Sequence, residues 1–235
     1  METTTKPNPL IEAMFKAGAH FGYTRSRRHP SVKPYLWGVK NKIEIFNLEK
    51  TSESLEEAGL FVKDIARNGG VILFVGGKQE SQDIVRKAAE SIEMPYIAGR
   101  WLGGILTNFS QIRKQVSAYE DHLSKREKGE FVKYTKMERL LLDRKIERMH
   151  KLFSGLVPLK DMPAALFVID PRREHIAVSE AQAKKIPVIA LCGSDCNLKD
   201  VEHAMPGNDA SIASISFFVD TIIKAFKEGK SVKSQ

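Results

Sequence analysis

The chain has 235 residues, and its 37 Lys and Arg against 29 Asp and Glu leave a formal net charge of +8. A hydrophobic share of 42% supports a folded core and excludes a wholly disordered chain. No stretch approaches the roughly 18 uninterrupted apolar residues of a membrane span, and a basic balance of this kind points to an anionic partner, nucleic acid before lipid.

The opening METTTKPNPLIEAMF has no apolar signal core, so a cytoplasmic protein is expected. Asn8 and Pro9 read as the cap and first position of a helix whose apolar stripe is Leu10, Ile11, Met14 and Phe15, ended by Gly18. Next comes HFGYTRSRRHPSVKPYLWGVKNK, from His20 to Lys42, with six Lys or Arg and no Asp or Glu. Its Gly and Pro content predicts a largely extended loop closing with a short strand at Ile43–Leu48. Like charges repel, and a solvated loop ordinarily interleaves acids. From Ala13 through Ile43 there are none, so an external polyanion is expected to neutralise Arg25, Arg27, Arg28, Lys33, Lys40 and Lys42. Phe21, Tyr35 and Trp37 can stack on exposed bases or fill the core beneath.

From Thr51 a helix is predicted, with Leu55, Ala58, Val62 and Ile65 on one face, stopped by Asn68-Gly69-Gly70. VILFVGG reads as a strand buried on both faces, followed by a helix through Ile84, Val85, Ala88 and Ile92 and a short strand in MPYIAG. The alternation resumes with AALFVID (164–170), a helix near Glu174–Lys184 and IPVIALCG (186–193). Asp209 is read as the cap of a last helix with Ile212, Ile215, Val219, Ile222 and Phe226 inward; the tail KEGKSVKSQ is polar and expected to be mobile. This predicts an α/β fold, a parallel sheet flanked by helices in a flavodoxin- or Rossmann-like three-layer arrangement.

Between the halves, Ser110–Phe153 carries no strand signal. Ile112, Val116, Tyr119 and Leu123, and then Leu142, Ile146, Met149 and Phe153, have the spacing of a coiled-coil seam, with Gly129 allowing a reversal. A two-helix antiparallel coiled-coil hairpin, residues 109–156, is thus expected as an insertion in an RNA-binding body made of residues 1–108 and 157–235. The hairpin carries 12 Lys or Arg against seven Asp or Glu, so part of its charge, including Arg113 and Lys114, is available to RNA.

Enzymatic chemistry finds little support. VGGKQES follows a strand and opens a helix, yet Gly76 and Gly77 are adjacent and Lys78 precedes Gln79, so it fits neither the P-loop nor the dinucleotide template. A structural turn is the plainer reading, with Lys78 still able to meet a polymer phosphate. GRWLGGILTN (99–108) offers a close backbone approach, an Arg100 fork for phosphate and a Trp101 that can be core. Cys192 and Cys196 with His203 make only a loose zinc half-site, and small buried cysteines are the expected reading. Asp170 and His175 sit where α/β enzymes place active sites, but no nucleophile, base and oxyanion set accompanies them. The rival function is a sugar-phosphate- or nucleotide-binding enzyme of doubly wound fold; a membrane-surface protein is a third. No catalysis, cofactor, metal or homo-oligomer is expected.

Several stretches taken together resemble one family. AGAHFGYTRSRRHPSVKPYLWGVKNKIEIFNLEKT, ILFVGGK, GRWLGGILTN, PAALFVIDPRREHIAVSEA and MPGNDA occur in the order found in the S-two family of small-subunit ribosomal proteins, and span nearly the whole chain. The long helical insertion resembles the bacterial type. Two departures stand out: Tyr23 where the family has a second His in H-F-G-H, and Gly77 and Gln79 within its G-T-K-R or G-T-K-K run. The resemblance implies a non-enzymatic ribosomal protein that binds small-subunit rRNA, bridges head and body, and helps dock ribosomal protein S-one beside neighbouring small-subunit proteins. The RNA-binding candidates are Arg25, Arg27, Arg28, Lys33, Tyr35, Lys40, Lys42, Lys78, Arg100, Asn108, Arg113 and Lys114.

Overall fold

A computed structural model describes residues 8–232. Helix α1 (Pro9–Lys16) starts as its sequence dictates: Asn8 Oδ1 accepts from Leu10 N–H at 3.0 Å, and Pro9 occupies a position that needs no donor. The basic stretch then departs from expectation. It is not an extended loop but an antiparallel sheet of β1 (Phe21–Thr24), β2 (Leu36–Lys40) and β3 (Ile43–Phe46), with β3 in the middle and two short 3₁₀ turns between β1 and β2. Asn41 and Lys42 both take left-handed backbone, φ 51° and 66°, closing a two-residue hairpin loop between Lys40 and Ile43. An Asn-Lys pair is a weaker signal for that loop than Asn-Gly, so the sequence hides the hairpin.

Helix α2 (Leu48–Arg67) is capped by Asn47 and leads to β4 (Ile72–Val75). There follow α3 (Gln79–Glu90), β5 (Tyr96–Ile97), α4 (Phe109–Glu127), α5 (Lys136–Phe153), β6 (Ala165–Ile169), α6 (His175–Lys184), β7 (Val188–Cys192), β8 (His203–Pro206) and α7 (Ile212–Val232). Strands β4–β8 form a parallel sheet ordered β5-β4-β6-β7-β8. Strand β8 lies outside the expected elements, since its His-Ala-Met-Pro run has no apolar continuity.

Alternation along the parallel strands divides the core in two. Ile72, Phe74, Phe167, Ile169, Ile189, Leu191 and Met205 face α2, α3 and α7. Leu73, Val75, Leu166, Val168, Val188, Ala190 and Cys192 face α6 and the base of the α4–α5 pair. Both faces being covered makes a three-layer α/β body.

Helices α4 and α5 run antiparallel: Tyr119 pairs with His150 at 2.6 Å, and Arg126 with Asp143 at 3.6 Å. Thr135 and Glu138 form a capping box that starts α5 after the Gly129 reversal. Val116, Tyr119, Ile146, Met149 and Phe153 are buried in the same cluster as the sheet, so the hairpin base is continuous with the body core. Toward the tip, Val132, Met137, Leu140 and Leu141 are exposed.

Two further expectations are corrected at α7. Asp209 does not cap it; its carboxylate is taken by Lys78, and Asn208 Oδ1 instead accepts from Ala210 and Ser211 N–H. Ile212 points outward, 62% exposed, because it precedes the first buried turn of the helix. The helix also extends through most of the polar tail, to Val232; residues 233–235 lie outside the described residues.

Candidate nucleic-acid interface

The antiparallel sheet sits on the carboxyl ends of the parallel strands. Tyr23 N–H donates to Ser194 Oγ at 2.8 Å, His29 N–H to the Ser194 carbonyl at 2.9 Å, and Leu198 N–H to Ser31 Oγ at 3.0 Å. This is where a doubly wound enzyme would open its active-site crevice. Here the crevice is filled. Lys78 Nζ lies 2.7 Å from Asp170 Oδ2 and 2.5 Å from Asp209 Oδ2, and donates to the Tyr23 hydroxyl at 3.2 Å. Burial works against the Lys78 charge, but Asp209 and Asp170 outweigh it and hold the ammonium above the ordinary lysine range. Burial and the Asp209 carboxylate push the Tyr23 phenol up to about 12, so it stays protonated. Asp170 adopts φ 62°, a left-handed conformation it tolerates by accepting from Arg173 N–H at 3.1 Å.

The sequence offers Lys78 as a phosphate contact, and the fold corrects this. Lys78 is 8% exposed and committed to two carboxylates, so it anchors the antiparallel sheet to the body instead. The glycine turn before it is structural: a Cβ on Gly77 would collide with the Glu174 carboxylate and the Gly99 carbonyl.

Above this anchor, Arg25, Arg27, Lys33, Lys40 and Lys42 are all exposed on one small sheet and its turns, and none is ion-paired among the described residues. Arg27 lies 5.8 Å over the Tyr23 ring. Arg28 differs. Its guanidinium is 3.2 Å from Glu44, a carboxylate fully buried under the sheet. Burial pushes the Glu44 carboxyl up, and Arg28 pulls against it. Glu44 lies one residue past the acid-free window, so only the fold shows which arginine it takes. Of the rings, Tyr35 is half-buried, Phe21 packs beside His20 with centroids 4.0 Å apart, and Trp37 stands out into solvent.

The second group of candidates lies on the run from β5 into α4. Glu180 of α6 organises this loop: its two carboxylate oxygens accept from Trp101 Nε1, from the backbone N–H of Gly104, Leu106 and Thr107, and from the Thr107 hydroxyl, at 2.7–3.1 Å. Burial opposes its ionisation, but these donors prevail and hold the carboxyl below its usual range. Trp101 is thereby core. Arg100 is exposed and lines a cavity of about 390 Å³ with Arg86, His150 and Lys151. Asn108 and Lys114 are exposed, whereas Arg113 is half-buried, reaching the Val157 carbonyl and Glu120.

The remaining chemistry comes apart. Cys192 and Cys196 are buried on one face of the sheet, while His203 stacks on Phe61 on the other, with centroids 4.2 Å apart. Among the described residues no group of His, Cys, Asp and Glu could hold a metal ion. His175 is exposed on α6, apart from the Asp170 ion pair.

A family model described as ribosomal protein S2 matches residues 14–229. The chain belongs to the ribosomal protein S2 family. Among its relatives, the small ribosomal subunit protein uS2 of two strains of Thermus thermophilus is 43% identical over 219 residues, 92% of this chain and 86% of the relative. The uS2 of Opitutus terrae is 37% identical over 224 residues, 95% of this chain and 74% of the relative. As a family member the chain is a structural protein of the small ribosomal subunit, not an enzyme, which accords with a crevice occupied by its own ion pairs. No described helix is long and apolar enough to cross a membrane.

Proposed function

We propose that the antiparallel sheet binds small-subunit rRNA through its phosphates, and that the α4–α5 hairpin reaches a second RNA or protein surface. The observation that carries this reading is the group Arg25, Arg27, Lys33, Lys40 and Lys42, exposed together and without carboxylate partners among the described residues. The Lys78–Asp170–Asp209 anchor holds that group rigidly on the body, so its register against an RNA backbone is fixed before binding. Two contact surfaces on one rigid chain can hold two RNA elements in fixed relation, which is the physical content of bridging head and body. Docking of ribosomal protein S-one beside neighbouring small-subunit proteins is part of the same reading, supported by the family resemblance of the motifs. Arg100, Asn108, Arg113 and Lys114 belong to the second surface, and Arg28 and Lys78 serve chiefly to support the first.

Counterion release makes such binding salt-dependent. Contact with about five phosphates gives a slope of log K against log salt near −4. Filter binding of the chain to small-subunit rRNA across salt concentrations tests this; a flat response removes the electrostatic reading. Co-sedimentation of the tagged chain with small subunits tests the assembly reading independently.

A further inference from the structure

Trp37 is 81% exposed, more than any other large apolar side chain among the described residues, while Trp101 is 4% exposed and bonded to Glu180. The ladder explains the contrast. Leu36 pairs with Phe46 and Gly38 with Ile45, so Trp37 is the extra residue of a β-bulge on the edge strand β2. A bulge gives up a ladder pair and re-aims one side chain. An indole held in water forgoes the burial stabilisation that Trp101 has. Lys33 precedes it, Lys40 and Lys42 follow it within the same hairpin, and all three are exposed. A flat ring on a rigid strand, flanked by cations that lack carboxylate partners, fits an unpaired nucleotide: the base stacks on the ring and its phosphates meet the lysines.

We propose that Trp37 is a base-stacking residue for an unpaired nucleotide of RNA. The proposal rests on the RNA-binding reading above and deepens it, because phosphate neutralisation alone needs no aromatic ring. A protein surface would have to bring its own carboxylates to satisfy the same cations, and is an outcome of the test.

Trp101 is buried, so acrylamide quenching of tryptophan emission in the full chain reports Trp37. The chain is titrated with small-subunit rRNA, with single-stranded oligoadenylate, and with inorganic polyphosphate, which carries the charge without bases. The two RNAs are expected to cut quenching about threefold or more and to alter the emission, and polyphosphate to leave both unchanged. Trp37→Ala should weaken rRNA binding about five- to a hundredfold at fixed salt, the range of base–aromatic stacking, without changing the salt slope, and Trp37→Phe should retain most of the affinity. Circular dichroism checks that both variants fold. Stacking is overturned if rRNA binds while Trp37 stays fully quenchable, if Trp37→Ala binds like the parent, or if only a small-subunit protein shields the ring. In the first two cases a binding loss in Arg25→Ala/Arg27→Ala leaves the electrostatic reading standing. Absence of any rRNA binding sinks both.

Discussion

Lys78 and Asp209, 131 residues apart, meet at 2.5 Å where the strand ends of the parallel sheet converge. With Asp170 at 2.7 Å and the Tyr23 hydroxyl at 3.2 Å, the contact joins the loops after β4, β6 and β8 to the first strand of the basic sheet. The site that could have been an active-site crevice is spent on holding the antiparallel sheet in place.

Replacing Lys78 with Met leaves two buried carboxylates without their cation. Breaking such a pair costs roughly 3–5 kcal/mol, so urea unfolding at neutral pH should shift by about that amount. Burial already pushes the Asp209 carboxyl up to about 6, meaning that the fold favours its neutral form. Lys78 pulls that carboxyl down, so losing the cation moves it higher still, and the cost in the variant is greatest at alkaline pH and shrinks as pH falls and Asp209 takes up its proton. A loss independent of pH between 7 and 5 would contradict the account.

Glu180 gives the opposite sign. Its folded carboxyl titrates below the usual range, so its contribution is present above the unfolded value near 4.5 and lost as pH falls through the folded one. Glu180→Gln turns an amide toward at least some of five donors and should cost roughly 2–4 kcal/mol at neutral pH. The variant's stability should also lack the parent's acid-side decline from this group. Denaturant melts at a series of pH values read both effects.

The arginines of the basic sheet should separate into two classes. Arg25→Ala/Arg27→Ala removes exposed charges and should weaken rRNA binding and subunit incorporation with little change in stability, since exposed charges without carboxylate partners contribute little to folding. Arg28→Met strands the buried Glu44 and should destabilise the chain by about 3 kcal/mol at neutral pH, less in acid as Glu44 protonates. Sedimentation of tagged variants, paired with thermal melts, tells the classes apart. Unchanged incorporation of the double variant counts against the basic sheet as an RNA surface.

The hairpin should divide along its length. Replacing 124–145 by a short Gly-Ser bridge removes the exposed tip and should leave the unfolding free energy of the body within about 1 kcal/mol of the parent, because the tip adds little to the core. Ile146→Asp, at the buried base, puts an unpaired charge into the cluster shared with the sheet and should unfold it. Urea melts of the two variants settle whether the arm is an insertion in the energetic sense.

The three-layer body was legible in the chain because its signals are local. Continuous apolar runs such as ILFV and ALFVI read as strands buried on both faces, and Leu55, Val62, Ile215 and Val219 repeat at helical spacing. The acid-free charge of the basic stretch was also a property of the sequence alone, and so was the failure of Gly76 and Gly77 to make a phosphate loop. Tertiary structure decided what those charges do. Strands β1 and β2 form because β3 lies between them and the strand ends lie beneath, and no local period announces pairing with a distant partner. Lys78 and Arg28 look like Lys40 and Arg25 in the sequence, yet they are removed from the exposed, unpaired set by Asp170, Asp209 and Glu44. Trp37 stands at one bulge in the register of β2, a feature that only strand pairing defines. Charge and hydrophobic period are carried by each residue into any fold, whereas ion-pair partners and exposure are set by which segments meet.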